Sequence, residues 1–148
     1  MTVAPDVERL SFDTLSDAVR ALRERGLRLS TARRLVLDAL FAADCPVSAE
    51  EIARKLSLDL TSVYRNLETL ERHGLVRHVH LGHGPGRYVL IGRGEREFLY
   101  CERCGALSAL EPWQLDPVRR DVEHLAGYRV RFTHFALVGV CAGCARRD

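Results

Sequence analysis

No stretch of this 148-residue chain approaches the ~20 consecutive apolar residues of a membrane span, so no membrane partner is expected. The opening residues MTVAPDVERLSFD lack the basic-then-apolar pattern of a secretion signal, which makes a reducing cytoplasm the expected setting. Net charge is only +2, which excludes a diffuse basic tail as a nucleic-acid binder but not a local basic face. There is no internal repeat and no low-complexity segment. What is present is ordinary for a globular protein: 47% apolar and 28% charged residues. A chain of this length removes roughly 68–70% of its unfolded surface from water. It also carries five cysteines, Cys45, Cys101, Cys104, Cys141 and Cys144. In a reducing compartment they are poor disulfide partners and good metal ligands.

Residues 1–90 read as helices followed by a hairpin. Leu15, Val19 and Leu22 recur at helical spacing within 13–25, with Gly26 as the stop. Ser30 caps a second helix whose stripe is Leu35, Val36, Ala39 and Leu40. Ser48-Ala-Glu-Glu51 is a capping box that starts a short helix carrying Ile52 and Leu56. Residues 61–73 form the next helix, with Val63, Leu67 and Leu70 on one face and Gly74 as its stop. Residues 75–81 and 87–91 alternate as two strands around Gly82, Gly84, Pro85 and Gly86. This order predicts a winged helix-turn-helix. Residues 91–96 read as a hinge, leaving 97–148 as a second domain. There, short strands at 98–101 and 106–110 flank a Cys-x-x-Cys turn. Asp116-Pro117 starts a helix with Asp at the cap, lined by Val118, Val122 and Leu125 and ended by Gly127. A long alternating strand, 128–140, then runs into a second Cys-x-x-Cys. The fold class is α+β.

Cys101-Glu-Arg-Cys104 and Cys141-Ala-Gly-Cys144 are the most specific chemistry in the chain, with 36 residues between the inner cysteines. Two such turns close a tetrahedron of thiolates around Zn²⁺ and leave no open position, so the site is expected to be structural rather than catalytic. No Ser/His/Asp or Cys/His arrangement has a supporting motif, and an enzyme is not expected. Cys45 is odd; a small buried hydrophobe is its expected role, a thiol sensor or ligand beside Pro46 the other.

The 61–74 helix leaves Thr61, Ser62, Tyr64, Arg65 and Thr69 off its apolar face, a set suited to base edges and phosphates in a major groove. Arg28, Arg33 and Arg34 stand near the start of the second helix, where they can hold a DNA backbone. Taken singly, each arginine reads better as part of a solvated helix face; the order helix, helix, helix, hairpin turns the reading toward DNA.

Arg25-Gly-Leu-Arg-Leu-Ser-Thr-Ala-Arg33, Val47-Ser-Ala-Glu-Glu51, Leu60-Thr-Ser-Val-Tyr-Arg-Asn-Leu67 and the two cysteine pairs together resemble the ferric-uptake-regulator (Fur) family of metal-responsive repressors. The resemblance covers roughly 15–144. It implies a winged-helix DNA-binding domain, a hinge and a small α/β dimerisation domain with a four-cysteine zinc site. It also implies a homodimer on a palindromic operator in double-stranded DNA, controlling metal-homeostasis or oxidative-stress genes. Tyr64 and Arg65 fall on the family's DNA-contacting positions and Arg33 on a backbone-contacting one; Ser62 stands beside them.

The family's histidine-rich run before the first cysteine pair is absent. Gly94-Glu-Arg-Glu-Phe98 stands there, and Pro46 and Ala109 occupy two further ligand positions. Phe98 and Ala109 cannot bind metal, and Arg96 would repel it. Glu95, Glu97, Asp116 and His134 form a second possible cluster, for which a solvated acidic hinge is the preferred reading. Other histidines remain. His78 and His80 share one face of a wing strand by the period of two, in Arg77-His-Val-His-Leu-Gly-His83. That stretch and His134-Phe-Ala resemble the nickel-uptake-regulator branch, which implies a regulatory ion on His78, His80 and His134 between the domains. Imidazole suits Ni²⁺, Zn²⁺, Cu²⁺ and Fe²⁺ alike, so only the resemblance points to nickel. His83 is a spare ligand or exposed; His73 and His124 are bystanders. The expected function is a metal-dependent repressor. The alternative is a Fur-like regulator without metal sensing, binding DNA constitutively or responding through a thiol or partner.

Overall fold

The computed structural model describes residues 12–92 and 96–147. Glu95 and part of the 91–96 stretch lie outside the described residues. Two compact units are formed: Met1–His78 with Arg87–Gly94, and Val79–Gly86 with Glu95–Asp148.

In the first unit, α1 (Leu15–Glu24) is capped by Thr14, whose side chain accepts from the Asp17 N–H, and buries Ala18, Val19 and Leu22. Gly26 follows at φ +77°, a left-handed turn that glycine makes without Cβ strain. Ser30 caps α2 (Thr31–Ala42). Its buried stripe is Val36, Leu37, Ala39 and Leu40, while Leu35 is 36% exposed. Leu37 replaces the expected Leu35 because it lies nearer the centre of the arc that Val36 and Leu40 define.

Strand β1 (Val47–Ser48) leads into α3 (Ala49–Leu56). The capping box closes as expected: the Glu51 N–H donates to Ser48 Oγ at 3.2 Å, and the Ser48 N–H to Glu51 Oε2 at 2.9 Å. Helix α4 (Leu60–Arg72) starts one residue before the expected bound, since Asp59 is its cap and accepts from the Ser62 N–H at 2.8 Å. Strands β2 (Val76–Val79) and β3 (Arg87–Leu90) complete a three-stranded sheet of order β1-β3-β2. Val36, Leu37, Val63, Leu67, Leu70, Leu75 and Val76 are fully buried in one apolar cluster under this arrangement. Each such side chain contributes roughly 1.5–3 kcal/mol through its removal from water.

The second unit holds β4 (Glu97–Cys101), β5 (Leu107–Leu110) and β6 (Leu137–Gly139) in the order β5-β4-β6. A 3-10 turn (Pro112–Leu115) runs into α5 (Asp116–Ala126), and α6 (Ala142–Ala145) closes the chain. Asp116 is the first residue of α5 and not its cap; that place falls to Leu115, because the preceding turn already delivers the chain in near-helical geometry. The apolar face expected on α5 stays uncovered among the described residues: none of its residues is buried, and Leu125 is 88% exposed. The long strand expected at 128–140 shrinks to 137–139 plus one parallel bridge, Phe135 to His80. Alternation supplies faces but not a neighbour, and only the residues beside β4 find a ladder. Among the described residues, no helix is long and apolar enough to cross a membrane.

Candidate metal centres and nucleic-acid interface

Sheet register assembles the cysteine cluster. Strands β4 and β6 run parallel with Cys101 opposite Gly139, and the Glu102 N–H donates to the Gly139 carbonyl at 2.9 Å. The end of β4 that enters the first Cys-x-x-Cys therefore lies beside the end of β6 that enters the second. All four sulfurs lie within 4.8 Å of one another. Cys104 Sγ and Cys141 Sγ are 3.8 Å apart, which matches the roughly 3.8 Å that a tetrahedral ion with Zn–S near 2.3 Å imposes. Backbone N–H groups, that of Cys141 first and then that of Cys104, pull the Cys101 thiol down to about 6. The Cys144 thiol is pushed up to about 12 by hydrogen bonds with the Cys104 and Cys141 sulfurs, then by burial and the Cys101 charge. Four thiolates crowded together need a cation, and a site with preset N–H donors to sulfur fits zinc. Cys45 is exposed, against the expected buried role, in the loop between α2 and β1.

The second unit also pairs His80 with His134. The His80 N–H donates to the His134 carbonyl, and the Ala136 N–H to the His80 carbonyl, each at 3.0 Å. The two imidazoles stand 5.1 Å apart between ring centroids, with Phe135 packed on both at 5.5 and 4.6 Å. Their nearest ring nitrogens lie within 4.8 Å. His78 belongs to the first unit and lies in β2. Its Nδ1 lies 2.5 Å from Glu71 Oε1, which also accepts from the His78 backbone N–H at 3.2 Å. Glu71 was not singled out from the sequence, although an acidic side chain in the last turn of α4 opposes the helix dipole and is a legible signal. His83 and His124 are exposed. The His73 carbonyl accepts from Arg25 at 3.0 Å, and burial lowers its imidazole pKa, with Arg25 adding to the effect.

Within the acidic cluster before the cysteines, Glu97 is not solvated, Asp116 is exposed, and Glu95 lies outside the described residues. Glu97 is 2% exposed and ion-paired with Arg119. Arg119 also donates to the Pro112 carbonyl at 2.7 Å and to Asp116 Oδ1 at 3.0 Å, and lies over the Phe132 ring. An arginine three residues after Asp116 thus pairs with Glu97 and Asp116, two of the carboxylates that the sequence suggested for a cation.

On α4, Arg65 is exposed and Ser62 partly so, its N–H taken by the Asp59 cap. Tyr64 does not stand clear of the fold as expected. Its ring packs partly on the core, and its hydroxyl donates to Glu50 Oε1 at 3.0 Å, which raises its pKa. Thr69 turns its hydroxyl onto the Arg65 carbonyl at 2.8 Å. Arg33 is half-buried and donates to the Arg28 carbonyl, while Arg28 and Arg34 are exposed.

A helical unit ending in a two-stranded wing, followed by a sheet unit with a four-thiol cluster, defines a winged-helix metalloregulator. The chain belongs to the ferric uptake regulator family, whose match spans residues 24–137. Members of this family are metal-responsive, dimeric DNA-binding transcriptional repressors and not enzymes. The peroxide-responsive repressor PerR of Staphylococcus saprophyticus is 27% identical over 135 residues, 88% of this chain and 90% of that protein. The ferric uptake regulator of Helicobacter pylori, solved with three functional metal-binding sites, superposes with a TM-score of 0.72 at 20% identity, covering 94% of this chain and 97% of that one. A zinc uptake regulator solved with zinc and DNA superposes at 0.56 with 24% identity, covering 90% and 93%. These comparisons establish the family without selecting a branch of it.

Proposed function

We propose that this chain is a cytoplasmic, homodimeric repressor that binds a palindromic operator when a divalent ion occupies His78, His80 and His134. The domains are those of the sequence reading: a DNA-binding domain over 1–90, a hinge over 91–96 and a dimerisation domain over 97–148. The observation that carries the metal reading is the His80–His134 pair. Two imidazoles on one ion, each at about 2.0–2.1 Å, stand no more than about 4.2 Å apart, and the ring nitrogens of these two lie within 4.8 Å of each other. His78, in β2, is the third donor. Nickel is the preferred ion on the resemblance of His78–His83 and His134–Ala136 to the nickel-uptake-regulator branch; imidazole chemistry alone accepts several metals. Zinc at Cys101, Cys104, Cys141 and Cys144 would act as a cross-link with no open position. Arg65, Tyr64 and Ser62 read the operator from α4, and Arg33 braces the backbone. The regulated genes would serve metal homeostasis or the oxidative-stress response. Metal raises operator affinity only if it binds the DNA-competent conformation more tightly than the other.

The test titrates an inverted-repeat operator, recovered by in vitro selection, with Ni²⁺, Zn²⁺, Fe²⁺ and Mn²⁺. His80→Ala and His134→Ala should each abolish metal-dependent binding while one zinc per chain and the dimer persist. Equal operator binding in chelator by the wild type, or a wild-type metal response in both variants, would overturn the reading.

A further inference from the structure

We propose that Glu71 is the positioning residue of the histidine site: its carboxylate holds His78 at Nδ1 and so commits Nε2 to the metal. The inference deepens the three-histidine reading and rests on it. Three observations carry it. Glu71 Oε1 engages His78 twice, through the ring at 2.5 Å and the backbone N–H at 3.2 Å, so one carboxylate oxygen sets both the rotamer and the strand position. Both side chains are about four-fifths buried, with exposures of 21% and 20%, so the contact is partly shielded from solvent. And Glu71 is itself fixed, because the His73 and Gly74 N–H groups close on its carbonyl at the end of α4.

The chemistry follows from the tautomer. A carboxylate beside Nδ1 selects the form with its proton there, and the lone pair then sits on Nε2. A carboxylate behind a ligating imidazole also raises its basicity and strengthens its bond to a metal. The residue type supports the assignment independently. In the last turn of a helix a negative side chain faces the negative end of the dipole, so Glu71 breaks a local rule, and rules broken without local gain mark functional positions.

The test uses the full-length, zinc-loaded protein as wild type, E71Q, E71L and H80A. Each is titrated with Ni²⁺ alone by calorimetry, and the imidazole nitrogens are read by ¹⁵N NMR before any nickel is added. The wild type should take one Ni²⁺ per chain beyond its zinc, and H80A should lose it. E71L should weaken nickel binding about 10–100-fold. E71Q keeps an oxygen for the Nδ1 proton without the charge and should fall between them. The NMR signature should show the Nδ1–H form of His78 in wild type and E71Q and its loss in E71L, a readout that general loosening of the fold would not give. Nickel affinity in E71L and E71Q equal to wild type, or a wild-type His78 protonated on Nε2, overturns the role of Glu71 and leaves the histidine site standing. A wild type that takes no second ion overturns both.

Discussion

The two units of this chain are held together by different means. In the first, fifteen buried side chains from all four helices and the wing form one apolar cluster. In the second, burial is sparse. Phe98, Leu115 and Ala136 are covered, but α5 buries nothing, and Trp113, Leu125, Tyr128 and Phe135 are exposed at 69%, 88%, 71% and 60%. A segment of this size cannot remove enough apolar surface from water by itself, and such segments rely on a metal or on another subunit. The second unit carries a four-thiol cluster at its sheet end and a set of exposed apolar side chains. On the reading proposed above, zinc and a second subunit would supply to the second half the stability that the hydrophobic effect supplies to the first.

That contrast can be broken in graded steps. The largest effect is expected from Cys101→Ser or Cys144→Ser, which should cost the chain its tightly held zinc and, with it, the folded second unit and the dimer. Zinc binding that is coupled to folding is worth on the order of 10–16 kcal/mol in small zinc domains. Zinc content by elemental analysis and dimer mass by sedimentation are the measurements. Full zinc and an intact dimer in both variants would remove the distinction.

Next comes Leu67→Ala in the first unit, where the side chain is fully buried. Loss of about 2–5 kcal/mol in denaturant unfolding is expected from the lost burial and the cavity left behind, with zinc content unchanged. A loss of zinc in that variant would show that the units do not stand on separate supports.

Arg65→Ala sharpens the comparison from the surface. Arg65 is exposed on α4 and takes no part in the apolar cluster. Its removal should leave thermal unfolding unchanged and weaken operator binding by about 1–3 kcal/mol at fixed salt. Unchanged operator affinity would take Arg65 off the reading surface.

The smallest effect on chain stability is expected from Leu125→Ser. An exposed side chain contributes within about 0.5 kcal/mol to the fold of its own chain. If a second copy covers α5, the dimer dissociation constant should rise while secondary structure and zinc content stay put. An unaltered constant would place the dimer contact elsewhere on the second unit.

Much of this was legible in the residues because the relevant forces act over short distances. Ser30 and Ser48 cap their helices from within three residues of the N–H groups they satisfy. The spacing of each Cys-x-x-Cys turn places two sulfurs on one side of a turn whatever lies around it. Period-two spacing singled out His78 and His80. The same local logic failed where it ran out of neighbours. Alternation over 128–140 predicted a strand that lacks a partner for most of its length, and the stripe on α5 predicted a buried face that stays uncovered among the described residues.

By itself, then, the sequence determined the five longer helices, the Ser30 and Ser48 caps, the two cysteine turns and the family they resemble, because each depends on contacts a few residues long. Tertiary structure alone decided which distant groups meet. The parallel register of β4 and β6 brought Cys101 level with Gly139, and the His80–Phe135 bridge set His80 beside His134. Packing buried Glu97 and gave it Arg119, left Cys45 at the surface, and turned Glu71 onto His78. Those pairings follow from sheet register and from which apolar faces close on one another. Such long-range choices are settled by the burial of the whole chain, and no window of neighbouring residues contains them.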